Sequence, residues 1–266
     1  MAVPPGREAV VAEPWWIRGP TLGIRIVLTD PNNMRVSIVI PCLNEGRNLD
    51  ALLESLQSCR REGHELLLVD GGSDDGTLGR VARLLDHLIV SDPGRARQMN
   101  AGAAGAEGDI LWFLHADSRP PDHAVHTIIS SLGSGDHAWG RFDITMSGSH
   151  RMLRLVEFMM NWRSRLTGIA TGDQGIFVER RAFVAAGGFP EIPLMEDIAL
   201  CRALKRISAP RCLSGRMVTS SRRWETQGVY KTILLMWRLR LAYALGVDPG
   251  TLERRYHQCS SPTRGS

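Results

Sequence analysis

His115 and Asp117 stand two residues apart at the end of an apolar segment, residues 110–114, that follows Gly108-Asp109. An apolar run between a turn and a polar cluster predicts a buried strand, and open α/β sheets bind ligands at the carboxyl ends of their strands. An imidazole and a carboxylate can together bind a divalent cation. The segment therefore predicts a metal site for a phosphorylated substrate. The alternative is a capped loop histidine and a turn aspartate without a ligand.

A second apolar segment, residues 65–69, ends at Asp70, which two glycines and the polar cluster 73–77 follow. Glycines let the backbone come close to a ligand, and a carboxylate facing a nucleobase N–H or ribose hydroxyls makes a charge-assisted hydrogen bond. The pattern predicts either a nucleotide contact at Asp70 or a plain turn into the next helix.

Glu196 and Asp197 begin a predicted helix after an apolar Leu194-Met195 pair. Acidic residues in a first helical turn are stabilised by the helix dipole, which is one interpretation. The other is a general base, since a carboxylate held at a helix start can take a proton from a hydroxyl nucleophile. Only the second interpretation predicts that amidation of the acid abolishes turnover.

Alternating strands and helical segments must position these motifs. Strands are predicted at residues 36–40, 65–69, 88–90 and 110–114, and Asn44 is placed to cap the first helix. Such alternation is typical of a parallel sheet, so we expect an α/β fold. No glycine fingerprint follows the first strand, which disfavours a dinucleotide-binding fold, and no P-loop motif occurs.

Composition is ordinary for a globular protein, but the charge is uneven. The net charge is +4, and residues 202–256 hold 12 Lys and Arg against 3 Asp and Glu. That segment could face a nucleic acid, an anionic membrane or a phosphorylated substrate; nucleic acid is disfavoured because no recognised module accompanies it. Five cysteines without Cys-x-x-Cys spacing indicate reduced thiols, so we expect a cytoplasmic protein.

Two stretches, residues 150–169 and 230–247, interleave arginine with leucine and tryptophan. Basic amphipathic helices can lie in a bilayer interface and present a lipid acceptor, which would place the protein at the inner face of the cell membrane. The alternative is packing against the protein's own sheet. No apolar run approaches the roughly 18 residues of a membrane-spanning helix.

Four motifs in order resemble family 2 glycosyltransferases, which have the GT-A fold. They are Val36-Ser-Ile-Val-Ile-Pro41-x-x-Asn44-Glu45, Val69-Asp70-Gly-Gly-Ser73-x-Asp75-Gly-Thr77, Ala101-Gly102 followed by Gly108-Asp109 and His115-Ala-Asp117, and Glu196-Asp197. The resemblance covers about residues 35–225. The Gly-Gly pair, His-Ala-Asp and Gly172-Asp-Gln-Gly resemble a small bacterial subgroup often labelled arsenosugar-biosynthesis or diaponeurosporenoate glycosyltransferases.

The resemblance implies a role for each motif. Around a nucleotide-sugar donor it places Pro41, Asn44, Glu45, Asp70, Arg95, Arg97 and Ala116. It implies that Asp117 binds Mn²⁺ or Mg²⁺, with His115 in place of the family's first acid. It also implies that Asp197 is the catalytic base, with Glu196 beside it. The residues expected on the acceptor side are Gly172, Asp173, Gln174, Arg223 and Trp224.

These implications predict an inverting transfer of one sugar from a nucleotide-diphosphate donor, a uridine diphosphate (UDP) sugar, to a hydroxyl of a small molecule or lipid. Processive members carry Gln-x-x-Arg-Trp, and the segment 220–224 keeps Arg-Trp without the Gln, which favours a single transfer. We expect a flexible leader at 1–33, a catalytic GT-A domain at 34–225, and a basic amphipathic helix and tail at 226–266.

Two departures keep another class of protein open. Gly71 replaces a second acid after Asp70, and His115 replaces an acid of the metal motif, so a catalytically silent nucleotide-sugar-binding protein is the alternative. A sugar nucleotidyltransferase is disfavoured, because the glycine-rich opening loop with Arg and Lys that binds a triphosphate is missing after the first strand.

Overall fold

A computed structural model describes residues 34–258, apart from the side chains of Arg47, Asn48, Thr77, Arg223, His257 and Gln258. The predicted leader at 1–33 and the last residues, 259–266, lie outside the described part. The helices within it are α1 (Gly46–Ser55), α2 (Gln57–Arg61), α3 (Thr77–Val81), α4 (Arg95–Gly105), α5 (Ala124–Leu132), α6 (Arg151–Thr167), α7 (Arg180–Ala185), α8 (Glu196–Leu204), α9 (Arg222–Gln227), α10 (Val229–Ala244) and α11 (Pro249–Gln258).

The strands of the described part form one sheet. They are β1 (Val36–Cys42), β2 (Glu65–Asp70), β3 (His87–Val90), β4 (Ile110–Phe113), β5 (Trp139–Met146), β6 (Phe177–Glu179) and β7 (Arg211–Thr219). Their order is β3-β2-β1-β4-β6-β5-β7. β6 is antiparallel to β4 and β5, whereas the other neighbours are parallel. The predicted α/β fold with a mostly parallel sheet is confirmed.

Helices cover both faces of the sheet, which explains the unbroken apolar strands in the sequence. Side chains alternate between faces along a strand. Ile38 and Ile40 of β1 therefore join one buried cluster with α1 and α5, while Val39 joins a second cluster with α4 and α7. The polar residues after β1, β2 and β4 are consequently left at one edge of the sheet, where a site can form.

α4 lies close to the sheet because it has a glycine where it crosses β1 and β2. A Cβ built on Gly102 would lie 2.3 Å from Cγ1 of Val39 and 2.9 Å from Cγ2 of Val69. Both valines are fully buried and cannot move aside.

Gly102→Ala is therefore expected to lower the free energy of unfolding by about 1–3 kcal/mol, the usual cost of overpacking a core. Gly79→Ala on α3 is the control, because nothing lies within 4 Å of its Cβ position. Urea unfolding of both variants checks this; equal stabilities would mean that α4 does not approach the sheet this closely.

The C-terminal segment differs from the predicted single helix and tail, because it contains two helices, α10 and α11. Leu239 of α10 and Leu252 of α11 are buried with Met195 and Ile198 at the start of α8. A short-range periodicity could not show this, since the contact joins residues about 40 positions apart in the chain. The segment therefore packs directly beside Glu196 and Asp197.

The two amphipathic stretches form α6 and α10, and each combines burial with exposed apolar residues. α6 buries Leu153 and Val156 against the sheet, as the packing interpretation predicts. Large apolar side chains of both helices remain exposed: Leu155, Phe158, Met159, Trp162, Leu166, Tyr230, Leu234, Trp237, Leu241 and Leu245. Between residues 34 and 258, no helix is long and apolar enough to cross a bilayer.

Candidate active site

The loops after β1 and β2 are joined by hydrogen bonds. The backbone N–H of Asn44 donates to Oγ of Ser73 at 2.9 Å, and Oδ1 of Asn44 accepts from the N–H of Asp74 at 3.1 Å. Asn44 has a left-handed φ of 54° and does not cap α1, so that expectation is wrong. Oδ2 of Asp75 instead accepts from the N–H of Gly46, the first residue of α1.

Asp70 is buried and organises the turn that follows β2. One carboxylate oxygen accepts from the N–H groups of Gly72 and Ser73 at 2.9 Å, and the other accepts from the Ser73 hydroxyl. A carboxylate has about four lone-pair directions, and these three hydrogen bonds leave one of them unused. Its predicted role toward the base remains a prediction, with this turn as its support.

Gln98 joins the ends of β1 and β2, a role that the sequence did not indicate. Its side-chain N–H₂ group donates to the carbonyls of Cys42 at 2.7 Å and Val69 at 2.9 Å. A Cβ on Gly71 would lie 3.1 Å from Nε2 of Gln98. This close approach gives a physical reason for glycine in the place of a second acid. Gln98 lay within a predicted helix, and no sequence signal pointed to its partners.

The two donor-side arginines at the start of α4 differ in their surroundings. Nε of Arg97 pairs with Oε2 of Glu191 at 3.2 Å, so its charge is already matched. Arg95 is exposed and forms no ion pair with a described residue, while its charge acts on both Glu196 and Asp173. Of the two predicted candidates, Arg95 is better placed to meet an anionic donor beside the acids.

His115 is buried after β4 and contacts the turn at residues 171–174. Its Nδ1 lies 3.1 Å from Oδ1 of Asp173, and its Nε2 is buried without a hydrogen-bond partner. A Cβ on Gly172 would lie 2.3 Å from that Nε2, so the ring packs directly against the glycine. Nδ1 is therefore engaged with Asp173, whereas Nε2 has no hydrogen-bond partner. His115 positions the turn, and its predicted role as a metal ligand stays a prediction.

Asp117 is half-buried, and its carboxylate has no hydrogen bond or ion pair within the described residues. No group of three or more His, Cys, Asp and Glu residues suited to a metal occurs in residues 34–258. A single carboxylate is nevertheless a fit for Mg²⁺, which usually binds one or two carboxylates together with substrate phosphates and water. Ala116 between the two motif residues is buried. Asp117 thus keeps its predicted ligand role as a proposal.

The turn at residues 171–174 links this edge to α6. Oε1 of Gln174 accepts from the N–H of Thr171 at 3.1 Å, and Nε2 of Gln174 donates to Oγ of Ser164 on α6 at 3.0 Å. Gln174 is fully buried and supports the turn, and its expected place on the acceptor side stays a prediction. Trp224 packs partly buried against the main core, and the side chain of Arg223 lies outside the described part.

Asp197 meets the same turn from α8. Its Oδ2 accepts from the N–H of Gly172 at 3.0 Å, and its Oδ1 accepts from the N–H of Ile198 at 2.7 Å. The turn therefore contacts His115 through Asp173 and contacts Asp197 through Gly172. The three motifs that the sequence separates by up to 82 positions are brought to one place.

The pKa values of the two other acids near the turn, Asp173 and Glu196, are shifted in opposite directions. Burial opposes ionisation of Asp173, but the hydrogen bond from His115 and the charges of His115, Arg95 and Arg240 outweigh it and lower its pKa. Burial and the charge of Asp197 raise the pKa of Glu196. Glu196 is 7% exposed whereas Asp197 is half-buried, so Asp197 is the acid that an acceptor can reach.

Residues 37–185, more than half of the chain, match the family model for Glycosyl transferase family 2. The chain belongs to this family. It is 28% identical over 160 residues to undecaprenyl-phosphate 4-deoxy-4-formamido-L-arabinose transferase of Proteus mirabilis, covering 53% of this chain and 47% of that one. It is 31% identical over 172 residues to the Pseudomonas syringae protein of the same name, covering 57% and 49%. It spans about half the length of these curated relatives.

Solved structures show the GT-A fold of this family 2 glycosyltransferase. The mannosyltransferase PcManGT from Pyrobaculum calidifontis, in complex with GDP-Man and Mn²⁺, superposes with a TM-score of 0.58 and 21% identity over 80% of this chain and 62% of that one. Glucosyl-3-phosphoglycerate synthase from Mycobacterium tuberculosis, with Mg²⁺ and UDP, gives 0.54 and 18%, covering 71% and 72%. The predicted fold and enzyme class are confirmed, and the narrower bacterial subgroup remains a prediction.

The raised pKa of Glu196 predicts a pH dependence of stability. The folded state holds this proton more tightly than the unfolded chain, so the stabilisation is complete at low pH and is lost as the pH rises through the raised value. The Glu196→Gln variant has no carboxyl group at this position, so it does not lose this stabilisation as the pH rises. The stability of this variant relative to wild type should therefore increase between about pH 4 and about pH 8. Urea unfolding at both pH values tests this, with exposed Glu54→Gln as control; equal pH trends would be inconsistent with a buried carboxyl.

Replacement of His115 by Asp separates a metal ligand from a positioning residue. The new carboxylate would face Asp173, and like charges at that distance repel. We expect kcat to fall about tenfold or more, with partial recovery in the double variant His115→Asp, Asp173→Asn. Steady-state kinetics at varied Mn²⁺ measures both. A rise in metal-dependent activity of the single variant would show that the imidazole binds the ion.

Proposed function

We propose that this enzyme transfers one sugar from a nucleotide-diphosphate donor, a UDP-sugar, to an acceptor hydroxyl with inversion, using Asp197 as general base. The observation that carries the proposal is the pair of backbone N–H bonds to Asp197 from Gly172 and Ile198. They fix the direction of its carboxylate beside the turn that His115 holds at the end of β4.

The reaction follows from this arrangement. Asp197 takes the proton of the acceptor hydroxyl as its oxygen attacks the anomeric carbon of the donor, and the bond from that carbon to the diphosphate breaks. The N–H groups of Gly172 and Ile198 hold the carboxylate of Asp197 in one orientation, so it does not have to reorient before the proton transfer. When bound at Asp117, Mn²⁺ or Mg²⁺ supplies positive charge against the departing diphosphate.

The donor is proposed to lie across the loops after β1 and β2. The joined loops at Asn44 and Asp70, the neighbouring Pro41 and Glu45, and Arg95 surround that edge of the sheet. Complexes of similar folds with UDP and with GDP-Man support a nucleotide donor. The choice of uridine is part of the proposal.

The acceptor is proposed to be a small molecule or a lipid, with contact to a membrane surface. The relatives named for undecaprenyl phosphate support a lipid. Trp162 of α6 and Trp237 of α10 are both more than half exposed, and Arg238 beside Trp237 is exposed as well, which suits the interface of an anionic bilayer. Binding to anionic vesicles that falls in the Trp162→Ser, Trp237→Ser double variant would support this contact.

Metal-dependent hydrolysis of donor sugars tests the proposal against a silent binding protein. Incubation with a panel of UDP-sugars and Mn²⁺ should release UDP from at least one of them, and chelation of the metal should stop the release. Water then replaces the acceptor at the same site. Binding of UDP without release from any donor, in the presence of candidate acceptors, would favour the silent protein.

A further inference from the structure

Two arginines that the sequence placed on amphipathic helices lie close enough to Asp197 to interact with its charge. Arg163 belongs to α6 and Arg240 to α10, and both are half-buried. The charge of Asp197 acts on both guanidinium groups, and the charge of Asp173 acts on Arg240. They were missed because a helical periodicity shows which residues share a face but not which distant element that face meets.

Packing on both sides fixes where these arginines lie. Ser164, next to Arg163, is buried and accepts a hydrogen bond from Gln174 in the turn that carries Gly172. Leu239, next to Arg240, is buried against the residues that flank Asp197, Met195 and Ile198. Both backbones are therefore held at the edge of the turn.

Within residues 34–258, neither guanidinium is hydrogen-bonded to a carboxylate. Nη2 of Arg163 is buried without a hydrogen bond, and no carboxylate of residues 34–258 forms an ion pair with Arg163 or Arg240. The oxygens of Asp197 already accept two backbone N–H groups. Burial lowers the pKa of Arg163 to about 10 and also lowers that of Arg240. Desolvated cations without a partner are costly unless an anion binds them.

We propose that Arg163 and Arg240 bind a phosphate group of the acceptor, beside the base that activates its hydroxyl. The assignment rests on the proposed function and adds the chemical class of the acceptor. Guanidinium groups suit this ligand, since each can donate two parallel N–H bonds to phosphate oxygens.

The positions of the helices favour the acceptor over the donor diphosphate. The donor loops follow β1 and β2, whereas α6 packs on β5, which is three strands from β1. At about 4.8 Å per strand, this is a separation of about 14 Å. Arg95 already faces the acids from the donor side. The acceptor phosphate thus lies on the α6 and α10 side of Asp197.

Titration calorimetry with two probes tests the site. Phenyl phosphate represents a soluble phosphate, and phosphatidylcholine vesicles with and without farnesyl phosphate represent a lipid one. Each is titrated into protein saturated with Mn²⁺ and UDP. Arg163→Gln and Arg240→Gln should weaken phosphate binding about tenfold or more, as expected for a charge-assisted bond, and leave the UDP affinity within about threefold. If only phenyl phosphate binds, the acceptor is a soluble phosphate. If only the farnesyl phosphate vesicles bind, the acceptor is a lipid phosphate.

The exposed arginines of the same helices, Arg151 and Arg238, supply matched controls. Arg151→Gln and Arg238→Gln should leave the binding of phenyl phosphate within about twofold. Arg240→Lys, which keeps the charge, should retain part of the binding and covers the case of a misfolded Gln variant.

Three results would overturn the inference: no binding of either phosphate probe, equal losses in the control variants, or an equal loss of UDP affinity. The last would assign the arginines to the donor diphosphate. Phosphate binding that depends on Arg240 in a protein that binds no UDP would support the anion site and would contradict the proposed sugar transfer. The two proposals therefore fail separately.

Discussion

Asp197→Asn is expected to lower kcat by about 10²–10⁴-fold, the usual contribution of a general base. An amide cannot take the proton of the acceptor hydroxyl. It can still accept from the N–H of Gly172 or Ile198 through its one oxygen, so the fold and the donor site should remain. Rates of UDP release with a saturating acceptor measure the loss, and the affinity for UDP with Mn²⁺ should change by less than about threefold.

Glu196→Gln is the matched control, since it makes the same chemical change one residue earlier in the same helix. Glu196 is buried, so its amidation should leave kcat within about tenfold of wild type. The opposite order, with a small loss at Asp197 and a large one at Glu196, would transfer the base to Glu196. Small losses at both would remove the general base from the mechanism.

Asp117→Asn is expected to lower kcat/KM for the donor by about 10²-fold or more, because a metal supplies several kcal/mol of charge stabilisation and each 1.4 kcal/mol is tenfold. The residual rate should no longer respond to Mn²⁺. Donor hydrolysis at varied Mn²⁺ provides the measurement. Asp122→Asn, an exposed acid five residues later, is the control. A variant at Asp117 that keeps the full metal response would place the ion elsewhere.

The first four strands and the polar turns that follow them could be predicted from the sequence, because they depend on local patterns. The apolar runs before Asp70 and His115 are buried strands, and Glu196 and Asp197 open a helix as expected. Burial on both faces makes such strands uniformly apolar, which is why they were visible. The turn at Gly172 was also visible, through its glycines and acid.

The partners of these residues could not be predicted, because each contact joins distant parts of the chain. The cap of α1 comes from Asp75 instead of Asn44, and Gln98 joins two strand ends across 56 and 29 positions. His115 contacts Asp173, which lies 58 positions later in the chain, and its ring packs against Gly172. Residue type indicates which chemistry is available, and tertiary contacts decide whether an atom remains free for it.

A crystal structure of the enzyme with UDP and Mn²⁺, with the ion located by anomalous scattering, tests the central claim most directly. We expect the manganese signal within coordination distance of Asp117, the uracil beside Asp70, and the diphosphate on the same side of the turn as the carboxylate of Asp197. A nucleotide bound at another edge of the sheet, or an ion that Asp117 does not touch, would contradict the assignment.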